Sequence, residues 1–212
     1  MVVVFDLDDT LYDEIEFVKS GFQEIDNYLK NSFGNKNYYN FMWQLFLKNG
    51  SGKIFDYLIE EFKLNIDIQK LIEIYRFHRP NISLPISSKK ILENLYKNVD
   101  ISLITDGHYI TQQNKFQVLG LEKYIEFPIF TDFYNTKKPD LKPFKIVMEK
   151  FPNKRYIYIA DNPKKDFIAP KKLGWKTIRF KNSKGIYKEF VNDADFEIYC
   201  REEIIEKIEK LF

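Results

Sequence analysis

The stretch VVVFDLDDTL, residues 2–11, decides how the rest of the sequence is understood. Its first four residues are apolar and mostly β-branched, which is typical of a strand buried on both faces of a parallel sheet. Asp6 comes directly after this predicted strand, and Asp8 follows two residues later. Because open α/β sheets bind ligands beyond the carboxyl ends of their strands, two acidic side chains at such an end indicate a functional site.

Helical periodicity replaces this pattern over residues 13–79. Apolar residues recur there at spacings of three and four and share one face of a long first helix; they are Ile15, Val18, Phe22, Ile25 and Leu29. Breaks at 34–35 and 49–52 separate two further helices, and residues 65–67 offer an N-cap for a fourth. The pattern predicts a small unit of four helices inserted after the first strand.

Strands and helices alternate over residues 80–212. The predicted strands are 101–104, 127–130, 156–159, 176–178 and 196–199, and the predicted helices are 87–95 (capped by Ser87 and Ser88), 110–119, 143–151, 164–173 and 202–211. Such alternation predicts a doubly wound parallel sheet with helices on both faces. The expected fold class is therefore α/β, with residues 1–12 and 80–212 as the core and residues 13–79 as an inserted helical domain.

Composition excludes several classes of protein. Hydrophobic residues at 44% and charged residues at 30% are those of an ordinary folded domain, and 33 basic against 31 acidic residues lack the excess of a nucleic-acid binder. No apolar run reaches the roughly 18 residues of a membrane span, and the single cysteine, Cys200, fits a reducing compartment. We expect a cytoplasmic enzyme, monomeric or homodimeric, with neither nucleic acid nor a membrane as its partner.

Polar side chains also follow other predicted strands; they are Thr105, Asp106, Lys138, Asp161 and Asp166. Clustered carboxylates repel each other unless a cation lies among them. The oxygen ligands of Asp6, Asp8 and Asp161 suit Mg²⁺, which prefers carboxylates and keeps several waters. The alternative is that each aspartate only caps the turn after its strand.

Four segments, FDLDDTL, LITDG, KKPD and IADNPKKD, resemble in order the four motifs of the haloacid dehalogenase-like superfamily, whose members are mostly phosphatases. The resemblance covers nearly the whole chain if the helical insertion is that family's cap. It implies a Mg²⁺-dependent phosphatase that hydrolyses small phosphomonoesters through an aspartyl-phosphate. The implied partner is a small phosphorylated metabolite.

The resemblance also implies roles for the residues that face the phosphoryl group. Asp6 would be the nucleophile, and Asp8 would act first as general acid and then as general base. Thr105 and Lys138 would hydrogen-bond the phosphoryl oxygens, and Asp106 would offer its backbone N–H. An acid at position 8 favours phosphoryl transfer, because the dehalogenase branch of the superfamily lacks one there.

A metal site is implied at the same edge of the sheet. Mg²⁺ would be held by the carboxylates of Asp6 and Asp161 and by the backbone carbonyl of Asp8. Asp166 would lie behind these ligands and orient waters or Lys138.

Two residues depart from the family pattern. Asp106 stands where asparagine is common, and Ala160 stands where glycine is usual. An extra carboxylate turned toward the phosphate would be unfavourable. We therefore expect the Asp106 side chain to point away from the site or to pair with a cation.

Arg76, His78 and Arg79 lie where the inserted helices rejoin the core. They are candidate substrate contacts that would be reached when the cap closes. The alternative is a solvated helix end with cations near its carboxyl terminus.

Two rival functions stay open at this point. A sugar-phosphate phosphomutase could use the same motifs and return the phosphoryl group to a bound sugar. A non-catalytic binding module could keep the fold, although the intact Asp6, Asp8, Lys138 and Asp161 argue against it.

Overall fold

A computed structural model of the protein describes residues 1–183, 185, 187, 189–191 and 193–211. The chain divides into two compact units. One is formed by Met1–Glu14 with Ser83–Phe212, and the other by Ile15–Ile82. The division predicted from the sequence, with residues 13–79 as the functional cap domain, stays a prediction.

The first unit is built on a six-stranded sheet with the order β3-β2-β1-β4-β5-β6. Its strands are β1 (Val2–Phe5), β2 (Asp100–Thr105), β3 (Phe127–Phe130), β4 (Tyr156–Ala160), β5 (Lys176–Phe180) and β6 (Phe196–Ile198). Every neighbouring pair is parallel, which confirms the predicted α/β fold class. The chain runs from β1 outward to β3 and then returns to β4 on the other side of β1. Binding sites form at such a reversal of strand order.

Nine α-helices lie within the described residues. They are α1 (Glu14–Phe33), α2 (Tyr38–Asn49), α3 (Ile54–Phe62), α4 (Ile68–Phe77), α5 (Ile86–Leu95), α6 (Tyr109–Val118), α7 (Lys142–Lys150), α8 (Ile168–Lys172) and α9 (Glu203–Lys210). Short 3₁₀ turns occur at Leu121–Lys123 and Thr131–Tyr134. None of these helices combines the length and the apolar character that crossing a bilayer requires.

The central strands are buried because helices cover a parallel sheet on both faces. Every residue of β1 is fully buried, as are Ile157 to Ala160 of β4. Each of these strands is therefore a continuous apolar run, and such runs are easy to recognise in the sequence.

The helical unit, Ile15–Ile82, has an apolar core of its own. The predicted face of α1 is confirmed at Val18, Phe22, Ile25 and Leu29, which are buried. A glycine on the same helix, Gly21, lets α4 approach closely, because a Cβ there would lie 2.4 Å from the Tyr75 ring.

Two local predictions were wrong. The helix expected over residues 164–173 is helical only at Ile168–Lys172, because the residues before it form turns. Ser87 and Ser88 lie inside α5, which begins after Pro85 with no side-chain cap. The Ser88 hydroxyl instead donates to the Leu11 carbonyl, so it ties α5 to the loop after β1.

Candidate active site

Three neighbouring strands bring their carboxyl ends to one edge of the sheet. Asp6 follows β1, Thr105 ends β2 and Asp161 follows β4, and β1 lies between the other two. The backbone N–H of Asp6 donates to the Ile159 carbonyl at 2.9 Å, which extends the ladder up to the acidic residue. All three side chains are buried. The sheet therefore fixes two carboxyl groups and a hydroxyl close together.

Lys138 is a buried cation beside Asp6. Its Nζ lies 2.7 Å from Oδ1 of Asp6 and 2.8 Å from Oδ1 of Asp166, and it donates to the Tyr158 hydroxyl at 3.1 Å. Burial lowers the pKa of Lys138, but the charges of Asp166 and Asp6 outweigh it and hold that pKa well above its usual value. Lys138 therefore carries a fixed positive charge beside Asp6.

A cluster of three buried carboxyl groups meets the requirements of a cation site. Asp6, Asp161 and Asp166 each offer an oxygen within 4.8 Å of the others. Burial raises the pKa of Asp161 to about 9, and Asp6 and Asp166 add to the rise. Burial also raises the pKa of Asp6 to about 7, against the opposing charge of Lys138. A divalent cation among these oxygens would offset their repulsion and lower both pKa values.

The donor set fits Mg²⁺, which takes oxygen ligands and keeps several waters. Asp166 has both oxygens engaged: Oδ1 faces Lys138, and Oδ2 accepts the backbone N–H of Asn162 at 3.1 Å. With contacts at both of its oxygens, Asp166 is a less favourable direct ligand than Asp6 or Asp161. Asp166 would then act by orienting Lys138.

Three donors that were not predicted from the sequence hold Asp8. Lys115 Nζ lies 2.8 Å from Oδ1, the Tyr12 hydroxyl donates to Oδ1 at 2.6 Å, and Gln112 Nε2 donates to Oδ2 at 2.9 Å. Burial raises the pKa of Asp8, but Lys115 and the hydrogen bonds outweigh it and bring that pKa below its ordinary value. The group is therefore a carboxylate in this arrangement. Gln112 and Lys115 could have been suspected, since they stand three apart on α6 and share one face.

The Asp106 side chain pairs with a cation, which is one of the two arrangements expected from the sequence. Lys165 Nζ lies 2.7 Å from its Oδ2. Its Oδ1 accepts the Thr131 hydroxyl at 2.9 Å and the backbone N–H of Lys138 at 3.1 Å. Burial raises the pKa of Asp106, but the charges of Lys138 and Lys165 and their hydrogen bonds hold it below its usual value.

A cleft of about 230 Å³ opens at this edge of the sheet. It is lined by Asp6, Asp8, Asp9, Glu14, Thr105, Asp106, Gly107, Gln112, Asp161, Asn162, Lys165 and Tyr187. These residues are almost all polar. The cleft therefore suits a small, polar, charged ligand better than an apolar one.

The charged residues of this site lie within the part of the chain that matches a known family. The sequence profile of haloacid dehalogenase-like hydrolases covers residues 3–180. The chain belongs to this family. That membership confirms the resemblance drawn from the four motifs.

Two relatives align with this chain over nearly its whole length. A glyceraldehyde 3-phosphate phosphatase from Methanocaldococcus jannaschii is 30% identical, and the alignment covers 99% of this chain and 97% of that protein. A glyceraldehyde 3-phosphate phosphatase from Pyrococcus furiosus is 28% identical, with 99% and 93% covered.

Solved structures of the family share the fold. The hydrolase YfnB from Bacillus subtilis, solved bound to magnesium, superimposes with a TM-score of 0.71 at 19% identity, and the match covers 98% of this chain and 97% of that one. A 2-haloacid dehalogenase from Pseudomonas syringae gives a TM-score of 0.68 at 20% identity, with 100% and 99% covered. A protein named as a dehalogenase shares this architecture, so the fold alone does not identify the reaction.

The candidate substrate contacts lie around the end of α4. Arg76 and Arg79 are exposed, whereas His78 is buried in the helical unit. The two ring nitrogens of His78 lie 2.7 Å from the Tyr75 carbonyl and 3.0 Å from the Ser20 hydroxyl. His78 thus has a structural contact within its own unit, and the role of the three residues toward a substrate stays a prediction.

Asp161→Asn is expected to stabilise the metal-free protein and to remove its response to Mg²⁺. The folded-state pKa of Asp161, about 9, lies above the ordinary value of 3.8, so ionising this group costs folding stability as pH rises from about 4 to 9. A neutral amide avoids that cost. We expect the free energy of unfolding in EDTA to rise by about 1–3 kcal/mol at pH 8, and by less at pH 5.

Urea unfolding in EDTA at the two pH values measures the stability, and the thermal midpoint with added Mg²⁺ measures ion binding. The exposed Asp56→Asn in α3 is the matched control, since it makes the same change away from the cluster. If Asp161→Asn keeps the full thermal shift with Mg²⁺, Asp161 is not a ligand.

Proposed function

We propose that the chain is a Mg²⁺-dependent phosphomonoester hydrolase that works through an aspartyl-phosphate on Asp6. The observation that carries this proposal is the 2.7 Å contact between the Asp6 carboxyl and the buried Lys138 ammonium. A carboxylate nucleophile can approach an anionic ester only if fixed cations offset the repulsion. Lys138 supplies one such charge at the carboxyl edge of the sheet. The phosphatase names of both relatives, which align over nearly the whole chain, support the same chemistry.

The reaction would proceed in two displacements at phosphorus. In the first, an oxygen of Asp6 forms a bond to phosphorus as the bond to the leaving oxygen breaks, and Asp8 delivers a proton to that oxygen. In the second, a water oxygen attacks the phosphorus, and Asp8 accepts the proton of the water. Asp6 is then released as a carboxylate together with inorganic phosphate.

Different residues of the chain serve different parts of this scheme. The Thr105 hydroxyl and Lys138 would bind the phosphoryl oxygens while charge redistributes on them. Asp6, Asp161 and the Asp8 carbonyl would hold Mg²⁺, which would supply additional positive charge beside the phosphoryl group. Asp8 is a carboxylate while it contacts Lys115, which suits its task as a base. Acting as an acid would require Asp8 to take up a proton and loosen that contact.

The helical unit is proposed as the cap of the enzyme, with residues 13–79 selecting the leaving group. Its insertion directly after the strand that carries Asp6 supports this assignment. We also propose a cytoplasmic location, which is supported by the single cysteine. A small phosphorylated sugar is the proposed substrate class, since both relatives carry the name of a three-carbon sugar-phosphate phosphatase.

Phosphate release from a panel of substrates tests the proposal. We expect p-nitrophenyl phosphate to be hydrolysed with Mg²⁺ and not with EDTA. Among metabolites, glyceraldehyde 3-phosphate should have a kcat/KM at least about tenfold above that of hexose 6-phosphates, because one missing or additional contact changes discrimination by about that factor. No phosphate release from any ester would contradict the proposal. An isomerised sugar phosphate without phosphate release, seen by phosphorus NMR, would favour a phosphomutase.

A further inference from the structure

An aspartate on the wall of a phosphate site needs an explanation. Asp106 follows Thr105 directly and lines the same cleft. Its carboxyl group would repel an incoming phosphate dianion if nothing offset its charge. Yet the side chain is firmly placed, because three donors engage its two oxygens.

The contacts of Asp106 divide into two kinds. At Oδ1 it accepts the Thr131 hydroxyl and the backbone N–H of Lys138, so it fixes the segment that presents the Lys138 side chain. At Oδ2 it pairs with Lys165, whose Nζ lies 2.7 Å away. The contacts at Oδ1 position the backbone at Lys138. The contact at Oδ2 neutralises the negative charge of the Asp106 carboxylate.

Lys165 comes from the other side of the site. Asp106 follows β2, whereas Lys165 lies in the turn after β4, and β1 with Asp6 runs between those strands. The ion pair therefore joins the two loops that flank Asp6. The side chains are 32% exposed for Lys165 and 19% for Asp106, so the pair is only partly screened by water.

Among the lining residues that the structure describes, Lys165 alone carries a positive side chain. Removing it would leave the acidic wall of the cleft without that counter-charge. The neighbouring Lys164 is exposed, does not line the cleft and stands 4.3 Å from the centre of the Phe190 ring. The two adjacent lysines thus differ in surroundings while sharing chemistry.

We propose that Lys165 is a positioning residue that neutralises Asp106, and that the two act as one unit which lets Asp106 hold the Lys138 backbone without repelling phosphate. This inference rests on the proposed function, because it assumes that the cleft binds a phosphoryl group. It assigns Lys165 an effect on phosphate affinity rather than on the chemical step.

Calorimetric binding of inorganic phosphate in the presence of Mg²⁺ tests the pair directly. Lys165→Met should raise the Kd for phosphate about tenfold, because it removes a charge-assisted contact. Lys165→Arg keeps the charge, so its Kd should stay within about threefold of the wild type. Adding Asp106→Asn to Lys165→Met should bring the Kd back to within about threefold of the wild type. Lys164→Met, the matched control, should bind phosphate like the wild type.

Kinetics with p-nitrophenyl phosphate give a second readout. Lys165→Met should raise KM by about the same tenfold factor with a much smaller change in kcat, and the second substitution should reverse that rise. A purely structural role would not produce rescue by removal of the partner charge.

The outcomes separate this inference from the proposed function. If the wild type hydrolyses p-nitrophenyl phosphate and Lys165→Met binds phosphate as the wild type does, the inference is overturned alone. The same holds if the double variant binds no better than Lys165→Met. If the wild type neither binds phosphate nor hydrolyses any ester, the proposed function fails and the inference fails with it.

Discussion

Asp6→Asn is expected to lower the turnover of p-nitrophenyl phosphate by at least about 10⁴-fold, because the amide cannot form the covalent phosphoryl-enzyme. The substitution keeps the shape of the side chain, and its carbonyl oxygen can still accept a hydrogen bond from Lys138, which lies 2.7 Å from Oδ1 in the wild type. We therefore expect a folded protein. Initial rates with saturating Mg²⁺ measure the loss.

Binding of inorganic phosphate distinguishes loss of the nucleophile from loss of the site. The Asp6→Asn variant should still bind phosphate, since Thr105 and Lys138 are unchanged. Asp56→Asn, an exposed position in the helical unit, serves as the matched control and should keep the wild-type rate. Turnover of Asp6→Asn within tenfold of the wild type would contradict a covalent role for Asp6.

The strands could be predicted from sequence because burial leaves a simple pattern. Val2–Phe5 and Phe127–Phe130 were predicted to the residue. Tyr156–Ala160 extends one residue beyond the prediction. A strand covered on both faces is largely apolar, and turn-forming residues bound it on each side. A polar residue is buried there only with a partner, as the Ser102 hydroxyl of β2 is by donating to the Phe127 carbonyl. No comparable rule reveals which strands are neighbours, so the order β3-β2-β1-β4-β5-β6 is known only from the structure.

The segment before α8 shows where local pattern fails. Residues 164–173 look helical, yet the backbone N–H of Lys164 donates to Oδ1 of Asn162, and that of Asn162 donates to Asp166. These side-chain contacts satisfy backbone groups in turns and so compete with the helix. Asp166 is thereby turned toward Lys138. The local departure from the helix is what brings a carboxylate into the site.

The main candidate residues of the site could be predicted because parallel strands end at one edge of the sheet. Their partners could not be predicted from spacing. Tyr12, Gln112 and Lys115 surround Asp8, and Lys165 meets Asp106, through side-chain conformations that depend on the packed fold. The sequence offered one indication of such partners, which is a pair of polar residues on the buried face of a helix. In α6 these residues are Gln112 and Lys115.

Lys138→Met is expected to destabilise the protein and to abolish turnover. Lys138 is fully buried between Asp6 and Asp166, so its removal leaves two buried carboxyl groups without their counter-charge. Breaking a buried pair in this way costs about 3–5 kcal/mol of unfolding free energy. Urea unfolding in EDTA measures this cost. The matched control is Lys137→Met, the same substitution at the exposed preceding residue, which should cost less than about 0.5 kcal/mol.

The pH dependence of that cost identifies its origin. Lys138 lowers the pKa of Asp6, which is about 7 even so, and its loss raises that pKa further. When a carboxyl group has a higher pKa in the folded than in the unfolded protein, the free energy of unfolding falls as pH rises between those two pKa values. The stability gap between Lys138→Met and the wild type should thus widen from pH 5 to pH 8, and adding Asp166→Asn should narrow it again. A gap that is the same at both pH values and in the double variant would show that Lys138 stabilises the core by packing alone, and the charge-based account of this site would then be wrong.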